Sequence, residues 1–176
     1  DLWRQLGLSV DWSMTYATID ERCQRVAQRA FLRNLQRGEA YQIEAPSLWD
    51  VTFKTAVAQA ELEDREQPSA YHQLKFHGST DNTEIIIDTT RPELLPACAA
   101  LVTHPEDTRY QNLLGTTATT PIFGDEVPIL SHELADPAKG TGIAMGCTFG
   151  DTTDVTWWRE LELPVRAIID RSGRIT

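Results

Sequence analysis

The chain has few of the features that mark secreted, membrane or zinc-binding proteins. Its three cysteines are an odd number without paired spacing, which argues against a disulfide framework and favours a reducing, cytoplasmic compartment. It contains no apolar run long enough to span a membrane and no signal-peptide pattern. The four histidines are scattered, and there is no His-x-x-x-His or Cys-x-x-Cys pair. The sequence therefore predicts no metal site.

Positive charge is also scarce. Lysine and arginine number 16 against 26 aspartates and glutamates, so the net charge is -10. A free-standing protein that binds duplex nucleic acid is usually basic, and this chain alone is not expected to hold a long phosphate backbone. It could still accept one short nucleotide end. A Gly-x-x-x-x-Gly-Lys phosphate loop and a Gly-x-Ser-x-Gly elbow are both missing from the sequence, which removes two common catalytic classes.

The stretch most suggestive of a site runs from residue 140 to residue 158. It contains four glycines, two aspartates (Asp151 and Asp154) and several hydroxyl side chains, and it ends in two tryptophans. A strand that ends in a glycine-rich turn can line a polar pocket, because backbone approaches a ligand closely at glycine. Carboxylates at the start of the next helix can bind an ammonium or orient water. The alternative is a surface loop whose Asp or Thr caps a helix.

The N-terminal part predicts one helix. Thr18-Ile-Asp-Glu21 has the pattern of a capping box, apolar residues recur at helical spacing from Cys23 to Leu35, and Gly38 ends the element. The opposite face carries arginines at positions 22, 25, 29 and 33. This arginine face is expected to be solvated or docked on something outside the chain, with a specific phosphate contact as the alternative.

The middle of the chain is irregular. Ala45-Pro46-Ser47 breaks regular structure, Lys54 to Asp64 could be helix or edge strand, and Gln67-Pro68-Ser69 is typical of a linker. We place the domain boundary between residues 45 and 70. The predicted domains are a helical segment at 1–50 and a second domain at 51–176.

From Tyr71 the pattern changes to short strands separated by turns, with few helices. This pattern predicts a compact, β-rich α+β body, most simply a barrel. The predicted elements are a hairpin of strands 71–76 and 84–89, a helical turn at 90–93, a buried strand at 97–102, a hairpin of 116–122 with 127–130, a strand at 140–145, a helix at 151–161 and a strand at 165–170.

Several segments, taken in order, resemble the editing (connective polypeptide 1) domain of class I aminoacyl-tRNA synthetases, most closely of the valyl type. No single segment is decisive, but their order covers nearly the whole chain. The segments are Leu6-Gly-Leu-Ser-Val-Asp-Trp-Ser13, Thr55-Ala-Val-Ala-Gln-Ala-Glu-Leu-Glu63, Thr89-Thr-Arg-Pro-Glu93, His104-Pro-Glu-Asp-Thr-Arg-Tyr110, Val127-Pro-Ile-Leu130, Gly140 to Asp154 and Leu163-Pro164 to Gly173-Arg174.

The resemblance implies a compact, β-barrel-like α+β editing domain with short helices, preceded by an N-terminal helical segment. It implies an aminoacyl-tRNA deacylase that hydrolyses the ester of mischarged Thr-tRNA(Val). The partners implied are the 3′-terminal adenosine of tRNA(Val) and the rest of the synthetase, with no cofactor and no membrane. The His-Ile-Gly-His and Lys-Met-Ser-Lys-Ser signatures are absent, so the ATP-binding aminoacylation site of a full-length enzyme would lie outside this chain.

The resemblance also implies roles for the residues of the two editing motifs. Asp154 would bind the α-ammonium of the substrate, and Asp151 would orient the attacking water or the groups beside it. Thr89 and Thr90 would hold the terminal adenosine and orient the ester. Arg91 would lock the motif or meet phosphate. No covalent nucleophile is required.

The substrate pocket departs from the family pattern. Met145 stands where the valyl type often has lysine, Cys147 where it often has threonine, Leu94 where threonine is usual, and Gly150 replaces a histidine. Met145, Cys147 and Thr148 are nevertheless the expected substrate-binding residues of this loop. The candidates for binding the threonine hydroxyl are Asp154, Asp151, Thr148 and the amides around Gly146, and Asp154 is favoured.

A second departure concerns metal, because Asp50-Val-Thr-Phe53 follows Trp49 where many relatives carry a zinc-binding Cys-Pro-x-Cys pair. Two functional alternatives also stay open. One is the editing domain of a leucyl or isoleucyl enzyme, and the other is a non-catalytic module that binds the tRNA 3′ end.

Overall fold

The computed structural model describes residues 2–43, 45–63, 65–80 and 82–176. They pack into two compact units, Asp1–Ala45 and Pro46–Thr176. The functional division at residues 50 and 51 stays a prediction. In the described ranges, no helix is long and apolar enough to cross a membrane.

The first unit is built around one long helix. A short helix α1 spans Leu2–Gln5, and α2 spans Glu21–Gln36. The predicted capping box at the start of α2 is wrong, because Asp20 is the N-cap residue and makes no side-chain cap bond. Its carboxylate instead accepts a hydrogen bond from the Ala17 N–H at 2.7 Å. The predicted end is confirmed, since Gly38 has a φ of +75°, a conformation that glycine adopts without strain.

A small hairpin opens the second unit. Strand β1 (Trp49–Asp50) pairs antiparallel with β2 (Thr55–Ala56). The Asp50 carboxylate accepts hydrogen bonds from the N–H groups of Thr52 and Phe53, each at 2.7 Å. One aspartate therefore closes the turn at the place where the family resemblance would put zinc-binding cysteines.

The ambiguous segment from Lys54 to Asp64 forms β2 followed by one 3-10 turn at Gln59–Glu61. Asp64 itself lies outside the described residues. Of the two predicted alternatives, the strand is the one that forms, and the only helical part of this segment is the 3-10 turn.

Six further strands form one curled sheet. They are β3 (His72–Gly78), β4 (Glu84–Thr89), β5 (Cys98–Thr103), β6 (Thr117–Thr119), β7 (Glu126–Ser131) and β8 (Ile143–Cys147), and helix α3 (Thr152–Glu160) follows the last strand. The strand order is β4-β3-β6-β7-β5-β8, and only the β5–β7 pair is parallel. The two end strands, β4 and β8, pack against each other, so the sheet is barrel-like. The predicted α+β fold class is confirmed.

The centre of this body is β5, which is buried at all of its positions. Leu101 lies in a cluster inside the curled sheet with Phe76 and Ile129. Its neighbour Val102 lies in a second cluster, with Trp157 of α3. Successive side chains of a strand point to opposite faces, so β5 packs against the interior with one face and against α3 with the other.

Most of the predicted β elements are confirmed with shifted bounds, including the hairpin β3–β4, the buried β5 and the helix α3. The strand predicted at 140–145 begins only at Ile143, because Gly140 and Gly142 have φ values of +58° and +84° and belong to a turn.

The strand predicted at 165–170 is wrong. Ile169 makes only an isolated bridge with Ile175. Bonds to side chains hold this segment in place of a ladder. The Arg166 N–H donates to the Thr148 hydroxyl at 3.0 Å, and the Trp49 indole donates to the Arg171 carbonyl at 2.9 Å.

Candidate functional site

A polar cleft of about 380 Å³ lies where the end of β4 meets β8. This volume is in the range of small-molecule sites. Four carboxylates and two cationic side chains line it, which makes its wall acidic: Asp88, Asp136, Asp151, Asp154, Arg91 and Lys139. An acidic wall favours a ligand that carries a positive charge or hydrogen-bond donors.

The buried carboxylate of Asp154 organises one end of the cleft. Its Oδ1 accepts a hydrogen bond from the Cys147 N–H at 2.9 Å, and its Oδ2 accepts one from the Asp151 N–H at 3.2 Å. In return, the Asp154 N–H donates to Asp151 Oδ1 at 2.9 Å. This is a reciprocal capping box, and it fixes the start of α3 against the end of β8.

Burial raises the pKa of Asp154 to about 6, and the nearby charge of Asp151 acts in the same direction. The hydrogen bond from the Cys147 N–H opposes this, because it favours the ionised carboxylate. The outcome is a carboxylate that is charged at neutral pH but poorly hydrated. Such a group gains more than an exposed one from an ammonium partner, since the pair forms in a drier environment.

Gly150 and Arg91 connect the glycine-rich loop after β8 with the Thr-Thr-Arg-Pro turn across the cleft. The Arg91 guanidinium donates to the Gly150 carbonyl at 2.6 Å. A Cβ at Gly150 would collide with Asp154 Oδ2 and would lie 3.0 Å from Leu94 Cδ1. The glycine at this position therefore lets the loop pass directly over the Asp154 carboxylate.

The Thr-Thr-Arg-Pro turn follows β4 and forms the facing wall. The Thr89 hydroxyl accepts a hydrogen bond from the Arg91 N–H at 3.1 Å, which shapes the turn before the 3-10 helix at Pro92–Ala97. Thr89, Thr90 and Arg91 all line the cleft. Of these three, Arg91 makes the link to the opposite loop.

Met145 and Cys147 line the same end of the cleft from β8. Met145 packs against the core cluster, and the Cys147 thiol donates to the Leu94 carbonyl at 3.4 Å. Hydrogen bonding with the Cys98 thiol, together with burial, raises the pKa of Cys147 above its ordinary value. Since the thiolate is the nucleophilic form, this thiol is a packing group and a wall of the pocket.

Thr148 is the one predicted site residue that does not line the cleft. Its hydroxyl donates to the Pro164 carbonyl at 3.3 Å and accepts from the Arg166 N–H at 3.0 Å. These bonds join the end of β8 to the segment that follows α3. The other predicted residues are brought together: Thr89, Thr90, Arg91, Met145, Cys147, Asp151 and Asp154.

A brace between residues 107 and 110 was not predicted as part of the site. Arg109 makes two bonds to the Asp107 carboxylate, at 2.9 and 2.6 Å, and these hold the pKa of Asp107 below its ordinary value. Arg109 also donates to the Pro137 carbonyl at 2.8 Å, and the Tyr110 hydroxyl donates to the Thr141 carbonyl at 2.7 Å. The brace thereby positions the loop that forms one wall of the cleft.

Two further cleft residues were missed, Asp88 and Trp157. Each has a buried polar side-chain atom without a hydrogen-bond partner among the described residues, Oδ1 of Asp88 and Nε1 of Trp157. Asp88 directly precedes a motif that was recognised, and Trp157 is one of the paired tryptophans. Both residues therefore adjoin segments that the sequence singles out, but only the fold determines which of their atoms are buried without a partner.

The described part of the chain contains no group of three or more His, Cys, Asp or Glu side chains that could hold a metal ion.

Fold and cleft together define a compact α+β domain with an acidic site of small-molecule size. The family model for class I tRNA synthetases (I, L, M and V) matches residues 1–162. The chain belongs to this family, and the resemblance seen in the sequence is confirmed.

Three similar proteins within this family are all valine–tRNA ligases. The chain is 71% identical over 174 residues to a valine–tRNA ligase of Thermobifida fusca, 70% to one of Leifsonia xyli and 67% to one of Salinispora tropica. Each alignment covers 99% of this chain but only 20% of the relative. The chain thus spans about a fifth of the length of these relatives.

A solved structure is similar at a lower level. It is a LeuRS–tRNA–LeuAMS ternary complex from Agrobacterium radiobacter K84, matched with a TM-score of 0.48 and 18% identity over 94% of this chain and 30% of that chain.

Proposed function

We propose that this chain is the editing domain of a valine–tRNA ligase and hydrolyses the aminoacyl ester of mischarged Thr-tRNA(Val). The observation that carries the proposal is the buried carboxylate of Asp154 at the end of an acidic cleft. High identity to valine–tRNA ligases supports the valyl type over leucyl or isoleucyl enzymes.

Asp154 binds the α-ammonium of the aminoacyl group in this proposal. Each oxygen of its carboxylate accepts one backbone hydrogen bond, and a carboxylate oxygen has capacity for a second. The two backbone bonds prevent the side chain from rotating. The ammonium therefore meets a carboxylate that is already in place, so little ordering is needed on binding.

The reaction needs only water and an orienting group, because an aminoacyl ester is already activated. The water oxygen forms a bond to the ester carbonyl carbon, and the bond from that carbon to the ribose oxygen breaks. The water gives up a proton, and the ribose oxygen takes one to leave as a hydroxyl. Asp151 orients the water with Oδ2, while Oδ1 accepts a hydrogen bond from the Asp154 N–H.

The pocket must discriminate a threonine side chain from a valine side chain, which has nearly the same shape. An apolar wall discriminates poorly between two such side chains, and valine against threonine is the standard example of this limit. Met145 supplies a soft apolar wall. A polar group must therefore meet the threonine hydroxyl, since valine would leave that group unpaired at a cost of about 1–3 kcal/mol. We assign this task to Asp154, with help from the backbone amides near Gly146.

The macromolecular partner in this proposal is the 3′ end of tRNA(Val). Thr89 and Thr90 line the cleft, and in this proposal they contact its terminal adenosine. The net charge of -10 is suited to receiving one nucleotide end and unsuited to gripping a long phosphate backbone. The remainder of a full-length synthetase would hold the tRNA body.

The test is single-turnover deacylation of Thr-tRNA(Val) by the purified chain and by Asp154→Ala and Asp154→Asn. Both variants should lose at least about a hundredfold in rate, because the charge that binds the ammonium is gone. Asp20→Asn removes the same charge from α2 and should leave the rate unchanged.

Two results would contradict the proposal. Wild-type-like rates in both Asp154 variants would remove this carboxylate from the site. Binding of Thr-tRNA(Val) by the unchanged chain without any hydrolysis would instead identify a non-catalytic module for the tRNA end.

Substrate selection is tested with Met145→Ala. This variant should accept larger side chains and still prefer Thr-tRNA(Val) over Val-tRNA(Val), because the discriminating group is polar. If it hydrolysed both substrates equally fast, steric fit against Met145 would be the discriminator.

A further inference from the structure

The cleft wall contains two polar atoms that the fold leaves without partners. Only three buried side-chain N or O atoms in the described residues lack a hydrogen-bond partner, and two of them, Asp88 Oδ1 and Trp157 Nε1, belong to residues that line the cleft. Buried polar groups are nearly always paired in native proteins. Both atoms are themselves buried, but Asp88 also lines the cleft, so the rest of its carboxylate can meet a polar ligand there.

Asp88 is held in a defined position. It lies near the end of β4, where its backbone pairs with Gln73 of β3. On the other side, the backbone at Gly140 comes so close that an added Cβ would lie 2.9 Å from the Asp88 Cβ and 3.7 Å from its Oδ2. Gly140 also has a φ of +58°. A larger residue there would therefore both clash with Asp88 and strain the backbone. The turn thereby keeps the Asp88 side chain in the wall.

Asp88 and Asp154 lie at opposite ends of β8. Asp154 is bonded to the N–H of Cys147, the last residue of the strand. Asp88 contacts Gly140, which lies in the turn before Ile143, the first residue of the strand. Four steps of about 3.3 Å along a strand separate these ends by about 13 Å. One aminoacyl group is too short to reach both carboxylates.

We propose that Asp88 reads the terminal adenine, with its carboxylate accepting a hydrogen bond from the exocyclic amine of the base. This inference rests on the proposed function, in which Asp154 takes the α-ammonium. The exocyclic amine is the donor of an aminoacyl-adenosine that lies farthest from that ammonium, whereas the free ribose hydroxyl adjoins the ester. Carboxylates commonly accept hydrogen bonds from such amines in base recognition.

The experiment measures equilibrium binding of two non-hydrolysable ligands to the 176-residue chain. The first is 3′-deoxy-3′-(threonylamino)adenosine, and the second is its purine riboside counterpart, which lacks the exocyclic amine. The unchanged chain should bind the first ligand about tenfold more tightly or better, as expected for a hydrogen bond to a charged acceptor. In Asp88→Ala the two ligands should bind equally.

A matched control removes a different charge from the same wall. Asp136 lines the cleft, but its Oδ1 already accepts a hydrogen bond from the Ala138 N–H at 2.9 Å. In Asp136→Asn the ratio between the two ligands should therefore stay at the value of the unchanged chain. If Asp88→Ala fails to fold, as judged by circular dichroism, Asp88→Asn serves instead and should reduce the ratio, because the charge is lost while the shape is kept.

The possible failures are distinguishable. If the unchanged chain neither hydrolyses Thr-tRNA(Val) nor binds the first ligand, the proposed function fails. If it does both but the ratio persists in the Asp88 variants, the assignment of Asp88 is overturned. A third ligand, the 2′-deoxy form of the first, tests the ribose. If the Asp88 variants lose the preference of the unchanged chain for the 2′-hydroxyl ligand over this 2′-deoxy ligand, Asp88 contacts the ribose and the assignment to adenine is overturned.

Discussion

The two longest helices of the chain differ in how they are held. Helix α2 has 16 residues and none of them is buried, whereas α3 has nine residues and buries Asp154 and Trp157. At the start of α2, Asp20 makes no side-chain cap bond, while Asp151 and Asp154 cap α3 reciprocally. Helix α2 therefore depends on local sequence, and α3 depends on what surrounds it.

The difference between the two helices explains why changes at α3, and not at α2, should affect the cleft. The hydrogen bonds that start α3 are the same bonds that fix the Asp154 carboxylate in the cleft. A change there should alter stability and activity together. A change in α2 should alter the helix and leave the site as it is.

The largest expected effect compares a buried aromatic residue of α3 with an exposed one of α2. Trp157 is 6% exposed and Phe31 is 58% exposed. Trp157→Ala should lower the free energy of unfolding by about 3–5 kcal/mol because it leaves a cavity, while Phe31→Ala should change it by about 0.5 kcal/mol or less. Urea denaturation checks both values. Equal losses would show that the apolar side of α2 is covered in solution, and the contrast between the helices would disappear.

The next prediction compares alanine substitutions at Gly150, which precedes α3, and at Gly38, which follows α2. In Gly150→Ala the new Cβ collides with the Asp154 carboxylate, and displacement of a binding group by about 1 Å can cost about a hundredfold in rate. Gly38→Ala meets no neighbouring atom, but its φ of +75° should cost about 1–2 kcal/mol of stability. Deacylation assays should show a loss in Gly150→Ala and none in Gly38→Ala, whereas thermal melts should show a loss in both. An unimpaired rate in Gly150→Ala would mean that the loop moves aside freely.

The pH dependence of deacylation tests the ionisation of Asp154, the buried carboxylate of α3. The pKa of Asp154 is raised to about 6, and binding the ammonium requires its ionised form, so kcat/KM should fall as pH drops through 6. At pH 5 the loss should be about tenfold. Asp154→Asn, assayed after subtraction of spontaneous hydrolysis, should show no such limb, and a rising limb that persists in it would belong to another group.

The same shift has a consequence for stability. A carboxylate whose folded pKa lies above its unfolded value of 3.8 binds its proton more tightly in the folded state. Its contribution to stability therefore decreases as pH rises from about 4 to about 6. Asp154→Asn should remove this part of the pH dependence of unfolding.

The smallest effect compares the two N-cap aspartates. Asp151→Ala removes the acceptor for the Asp154 N–H and should cost about 1 kcal/mol. Asp20→Ala removes no cap bond of α2 and should cost only a few tenths of a kcal/mol. Thermal melts of both variants at one pH measure the difference. A larger loss in Asp20→Ala would show that its bond to the Ala17 N–H stabilises the unit more than a cap does.

The capping boxes show how far sequence patterns reach. Thr18 and Glu21 have the spacing of a capping box, but the chain starts α2 at Asp20 without a side-chain cap. The real box is Asp151 with Asp154, two residues that the sequence suggested for binding and water. An aspartate at a helix start serves a cap or a site equally well in sequence, and here Asp154 forms part of the box while lining the cleft.

The strands show the same limit. The hairpin β3–β4 was predictable because alternating residues and a turn are local signals. The strand predicted at 165–170 had a similar apolar pattern, but its Arg166 N–H donates to the Thr148 hydroxyl. The backbone of Ile168 and Asp170 bonds to Thr176 and Arg174, so the segment stays outside the sheet. Whether an apolar run becomes a strand depends on a free neighbouring edge, which is a property of the whole sheet.

By itself, the sequence determined the helix around Cys23–Leu35, the change to short strands after Tyr71, the acidity of the chain and the order of its motifs. All of these follow from composition and from contacts between residues close in the chain. Only the tertiary structure decided that Asp88, Arg91 and Asp154 line one cleft, because the packing of β4 against β8 joins segments more than 50 positions apart. The unpaired oxygen of Asp88 exists for the same reason, since burial and the lack of a partner are set by neighbours that the local sequence does not name.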